Sequence, residues 1–114
     1  MEEMVIKFSP QEVEKCLNEV SVRLQRILYV YEQSLINSKY NYRAYVYSVM
    51  LYISSLNALC DYDLSNIMVN INTLYINQDL NKASVKKIIM ESKHMIKDIK
   101  KKWSDNIGKD REYN

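Results

Sequence analysis

At 114 residues, with 47% apolar and 26% charged side chains and a formal charge of +2, the chain has the size and balance of one soluble globular domain that can bury a core unaided. Its single Gly and single Pro exclude a hairpin-rich sheet protein, which would need Gly, Pro and Asn-Gly or Asp-Gly turns. Ile, Asn, Lys and Tyr are abundant, for which the coding bias of an AT-rich genome (bacterium, phage or large DNA virus) is the plainest explanation.

Residues 1–8 form a lead-in without a clear period. A helix start follows. Ser9 is placed as an N-cap, Pro10 suits the first helical position, and Glu12 can bond back to Ser9 as a capping box. Phe8 and Val13 have the spacing of a hydrophobic staple. Val13, Leu17, Val20, Leu24, Ile27, Tyr31 and Leu35 then recur at steps of three and four, which predicts a first helix from Pro10 to Leu35 or Ile36.

After the polar break 37–41, Tyr42, Val46, Val49, Ile53, Leu56 and Cys60 make the stripe of a second helix. The tyrosines and valines of this stretch also suit a strand, but it is about twice a strand's usual length. A membrane span wants about 20 consecutive apolar residues. Arg43, Ser48, Ser54, Ser55 and Asn57 interrupt the run, so a core helix is the better account.

Residues 61–63 form the next break, with either Asp able to cap a third helix over Leu64–Asn77. Its stripe is Leu64, Met68, Ile71 and Tyr75, with Ile67 and Leu74 beside it. Asp79 or Asn81 is expected to cap a fourth helix, striped by Val85, Ile89, Ser92, Ile96, Ile99 and Trp103. Residues 106–114, including Gly108, are expected to fray. Four amphipathic helices with short connections predict an all-α, antiparallel up-down four-helix bundle spanning the chain as one domain.

Chemistry is sparse. The lone histidine, His94, lies beside lysines and has no nucleophile pattern around it, and two separated cysteines with one histidine fall short of a structural zinc set. One Gly cannot build a phosphate loop. The expectation is a non-enzymatic protein with no cofactor and no metal. Cys16 and Cys60 sit on apolar faces, and two buried thiols of a reducing cytoplasm are expected ahead of a disulfide, since the charged residues 1–15 do not read as a signal peptide.

Charge is uneven, with an acidic excess over residues 1–81 and a basic excess over 82–114. Lys82, Lys86, Lys87, Lys93, Lys97, Lys100, Lys101 and Lys102 line the fourth helix, and no Arg accompanies them in that stretch. A solvated lysine face explains this better than nucleic-acid binding, for which arginine forks are the usual readers.

Apolar residues off the stripes are more informative. Val22, Tyr29 and Ile36, then Tyr45, Tyr52 and Leu59, then Val69 and Ile76 form secondary lines. They make the second helix central, buried on nearly all sides, or they leave a groove for an amphipathic helical segment of a partner. Val22, Tyr29, Tyr45, Tyr52, Leu59 and Ile76 are the candidate partner-binding residues.

Several short motifs extend this. Ser9-Pro10-Gln11-Glu12-Val13 with Leu17, the triplet Ser55-Leu56-Asn57, Leu74-Tyr75 and Trp103 resemble, in order and spacing, the four-helix flagellin export chaperones (FliS-like). The family's Leu-Tyr-Asp-Gly segment reads Leu17-Asn18-Glu19-Val20 here, and no Gly-Gly-Glu follows Ser55-Leu56-Asn57. The resemblance implies a cytoplasmic chaperone that holds the amphipathic end of flagellin and blocks premature assembly. A second expectation is a small inhibitor or immunity-type protein of a phage, plasmid or virus that occludes one protein target.

Overall fold

The computed structural model describes residues 9–59 and 63–112, apart from the side chains of Pro10, Leu59 and residues 103–112. Four helices account for almost all of this stretch: α1 (Pro10–Ser34), α2 (Tyr42–Leu59), α3 (Ser65–Ile76) and α4 (Lys82–Glu112). The predicted start of α1 is built as the sequence requires. The Ser9 hydroxyl accepts the Glu12 N–H at 3.3 Å, and the Glu12 carboxylate accepts the Ser9 N–H at 3.4 Å. Phe8, the other half of the expected staple, lies outside the described residues, as do the lead-in and Cys60.

Asparagine governs the other starts. Asn41 accepts the Ala44 N–H at 3.0 Å and Asn81 accepts the Ser84 N–H at 2.8 Å, each satisfying one of the donors a first helical turn leaves free. The two turns before these caps are alike. Asn37 accepts the Lys39 N–H at 3.0 Å, and Asn77 accepts the Asp79 N–H at 3.1 Å. Ile36-Asn37 and Ile76-Asn77 therefore open two similar five-residue turns that close on Asn41 and Asn81. At α3, Asp63 accepts the Ser65 N–H at 2.9 Å, while Asn57 reaches forward to the Leu64 N–H at 2.7 Å.

Contacts between helices run in opposing order along the chain. On α1 and α4, Asn18 meets Lys100, Gln25 meets Lys93 and Glu32 meets Lys82. On α1 and α2, Tyr31 meets Tyr42 and Arg23 meets Tyr52; on α2 and α3, Tyr47 meets Tyr75 and Asn57 meets Leu64. All three pairs are antiparallel. Each helix packs on two neighbours in the ring α1–α2–α3–α4, and neither diagonal pair touches among the described residues. The chain is an all-α four-helix bundle, as its periodicity predicts. None of its helices is long and apolar enough to cross a membrane, among the described residues.

The core is the set of stripes turned to the ring's axis: Val13, Leu17, Val20, Leu24 and Ile27; Val46, Val49, Ile53 and Leu56; Leu64, Ile67, Ile71 and Leu74; Val85, Ile89 and Ile96. Burying each large side chain is worth roughly 1.5–3 kcal/mol. Ser92, the polar member of the α4 stripe, is fully buried and satisfied: its hydroxyl donates to the Ile88 carbonyl at 2.8 Å and accepts from the Asn70 amide at 3.2 Å.

Three expectations need correcting. Leu35 is not in the core stripe, because α1 ends at Ser34 and Leu35, its C-cap, is 65% exposed. On α3 the buried line is Leu64, Ile67, Ile71 and Leu74, while Met68 and Tyr75 pack on its flank. And α2 is not a central helix: it packs on α1 and α3 alone and leaves Tyr47 and Leu51 exposed on its outer side. The α4 backbone also continues helically past Gly108 to Glu112. One interior Gly costs a helix about 1 kcal/mol, and no Pro follows to stop it.

A tyrosine-lined end as candidate interaction site

The α1–α2 and α3–α4 turns lie side by side at one end of the bundle. The Tyr31 hydroxyl donates to the Leu80 carbonyl at 3.1 Å, and Lys82 pairs with Glu32 at 3.1 Å, so the two turns are tied through α1. Tyrosines crowd this end. Tyr29 meets Tyr40 edge to face with centroids 6.2 Å apart, Tyr31 meets Tyr42 at 5.3 Å, and Tyr47 meets Tyr75 at 5.6 Å. The Arg43 guanidinium lies 4.7 Å from the centre of the Tyr75 ring, a cation–π contact that holds a charged fork against the aromatic surface.

Two clefts open here. One of about 250 Å³ is walled by Tyr31, Tyr42 and Tyr75 with Leu74 and Leu80, and carries Arg43, Asn77 and Gln78 as polar groups. A shallower one of about 340 Å³ lies between Arg43, Ala44, Tyr47 and Tyr75. The Tyr42 and Tyr45 hydroxyls are buried without a hydrogen-bond partner. Burial, with Tyr31 close by, pushes the Tyr42 phenol up to about 12.

The rim is apolar. Of the nine large apolar side chains left exposed among the described residues, five stand at this end: Tyr29, Leu35, Ile36, Tyr47 and Ile76. Ile36 is 80% exposed and Ile76 64% exposed, at the matching positions of the two like turns. A soluble domain leaves such residues in water singly; here they gather around one end, which makes that end the candidate interaction surface.

The six residues expected to bind a partner do not share one face. Tyr29 and Ile76 belong to the tyrosine-lined end. Val22 stands exposed on the outer side of α1, away from it. Tyr45 and Tyr52 are half-buried, packed against the core. Tyr52 lies beneath the Arg23 guanidinium, 4.2 Å from its ring centre, and burial followed by the neighbouring Cys16 thiol raises its phenol to about 12. The Leu59 side chain lies outside the described residues. What the off-stripe lines missed is Arg43, Tyr47, Tyr75, Leu35 and the pairing of Ile36 with Ile76. The sequence signal for them was the repeated Ile-Asn-x-x-x-Asn and the close series Tyr40, Tyr42, Tyr45 and Tyr47.

The motif residues that resemble the flagellin chaperones have visible structural duties. Ser9 and Glu12 cap α1, Leu56 is core, Asn57 pins the start of α3, and Tyr75 carries Arg43. Trp103 lies among the side chains outside the description. Compared with protein-family models, with curated proteins and with solved structures, the chain matches none.

Proposed function

We propose that the chain is a non-enzymatic protein-binding bundle that receives an amphipathic segment of a partner at its tyrosine-lined end. The observation that carries this reading is the ring of exposed Leu35, Ile36, Tyr47 and Ile76 around clefts walled by tyrosine. Tyrosine presents a large, stiff, half-polar surface, so contact with it costs little side-chain entropy. Arg43, already oriented on Tyr75, supplies a fork for a carboxylate on the incoming segment.

The resemblance to flagellin export chaperones gives this reading its specific form. The client is the disordered, amphipathic end of a flagellin-type subunit, held in the cytoplasm so that it does not assemble early. The test is calorimetric titration of the full chain with a flagellin C-terminal peptide, repeated with Ile36→Asp/Ile76→Asp. Binding at micromolar strength that the double variant weakens by about tenfold or more supports the reading. No heat with the native chain removes the flagellin client. Equal binding by the double variant removes the tyrosine-lined end.

A further inference from the structure

A third cleft lies away from the tyrosine-lined end, between the facing flanks of α1 and α4, with a volume of about 400 Å³. Its α4 wall is basic. Lys93, Lys97 and Lys100 recur at steps of four and three, which brings three ammonium groups to one side of one helix. Its α1 wall is neutral and polar, made by Asn18 and Ser21, and His94 with the apolar Ile96 and Met90 complete the lining.

Two of the ammonium groups are held across the cleft rather than waving in solvent. Lys93 Nζ donates to Gln25 Oε1 at 3.0 Å, and Lys100 Nζ donates to Asn18 Oδ1. Their partners are amide oxygens, which fix position but cancel no charge. No carboxylate lines the cleft among the described residues; Asp98 approaches it only through the lining His94, at 3.7 Å from that ring. Lys82, by contrast, is neutralised by Glu32. The result is a concave, positively charged recess whose field is focused by low-dielectric walls.

We infer that this recess binds a compact phosphate-bearing ligand. Lys93, Lys97 and Lys100 neutralise the phosphate oxygens, Asn18 and Ser21 add neutral hydrogen bonds, and Met90 and Ile96 offer apolar surface to the rest of the molecule. The extent of the charge favours a compact ligand over a nucleic acid. On the same flank of α1, helical spacing places Glu14 beyond Asn18 and Glu32 beyond Gln25, so acidic groups bracket the neutral wall at both ends. A duplex tracking along the lysines would run over them.

The test titrates inorganic pyrophosphate into the full chain and follows backbone amide shifts. The expected result is saturation, with shifts confined to residues 18–25 and 90–100. K93Q/K97Q/K100Q weakens binding by about tenfold or more, while K87Q/K101Q/K102Q, which removes the same charge outside the cleft, changes it by less than about twofold. Co-sedimentation with phosphatidylcholine vesicles, with and without phosphatidylinositol bisphosphate, identifies the source. Capture by the phosphorylated vesicles alone assigns a lipid headgroup; saturation by pyrophosphate without capture assigns a soluble phosphate. Equal weakening by the two triple variants overturns the site, as does duplex DNA binding that both variants weaken alike. Absence of saturation together with absence of capture overturns it too.

Discussion

Replacing Tyr42 by Phe should make the protein more stable. The Tyr42 ring packs against the core and against Tyr31, but its hydroxyl is buried without a partner. An unsatisfied buried polar group costs about 1–3 kcal/mol relative to one that is paired. Tyr42→Phe removes that cost, keeps the ring contact at 5.3 Å, and leaves a void smaller than a methyl group, worth at most about 1 kcal/mol. The net expectation is a gain of about 1 kcal/mol, seen as a rise of roughly 4 °C in the melting midpoint for a domain of this size. The same substitution has a signature in alkali. The folded-state phenol is raised to about 12 against an ordinary value of 10.0, so its contribution is fully present below about pH 10 and is lost as pH rises through about 12. Urea unfolding followed by circular dichroism, at neutral pH and across that window, checks both effects: Tyr42→Phe should start higher and fall less steeply. Tyr52, raised in the same direction, should leave a residual slope. A loss of about 1 kcal/mol or more at neutral pH would show that the hydroxyl has a partner and would refute the reasoning.

Other substitutions probe the bundle itself. Leu24 is fully buried in the α1 stripe, so Leu24→Ala should lower the unfolding free energy by about 2–5 kcal/mol, read from the urea midpoint at constant slope. Ser92→Ala removes the acceptor of the Asn70 amide and should cost about 1–2 kcal/mol. Ser92→Ala/Asn70→Leu should lose less than the sum of the two single changes, and strict additivity in that cycle would deny the contact.

Most of the bundle was legible because two local codes agree with one another. Periodicity named the core of α1, α2 and α4 nearly residue by residue, and capping chemistry placed Ser9 at the start of α1 and offered Asn81, beside Asp79, for α4. The errors arose where a stripe met a helix end. Leu35 continues the α1 period, but Asn37 turns the chain there and carries Leu35 into solvent. On α3, only three helical turns long, Met68 and Tyr75 fit the period as well as Ile67 and Leu74 do, and only the positions of α2 and α4 decide between them. The candidate site was less legible for a related reason. Off-stripe apolar residues look alike in sequence whether they pack against the core, as Tyr45 and Tyr52 do, or face water, as Val22 and Ile76 do. Separating them requires knowing which neighbour lies on that side of the helix.

Tyrosine abundance illustrates the same point. Coding bias would raise the number of tyrosines without regard to where the fold puts them. Yet of the eight tyrosines among the described residues seven, Tyr29, Tyr31, Tyr40, Tyr42, Tyr45, Tyr47 and Tyr75, gather at one end of the bundle. Six of these follow one another across the α1–α2 turn, but Tyr75 arrives from α3 and is met there by both Tyr47 and Arg43. Composition alone gives no reason for that meeting. Nor does stability, since two of these hydroxyls are buried without partners and nearby Leu35, Ile36 and Ile76 are left in water. A bundle optimised only to fold would place phenylalanine at the first and polar residues at the second. Costs of both kinds fall at the same end, which is why the proposed binding is placed there, and the tyrosine-lined end is where Tyr42→Phe and Ile36→Asp/Ile76→Asp should separate stability from binding.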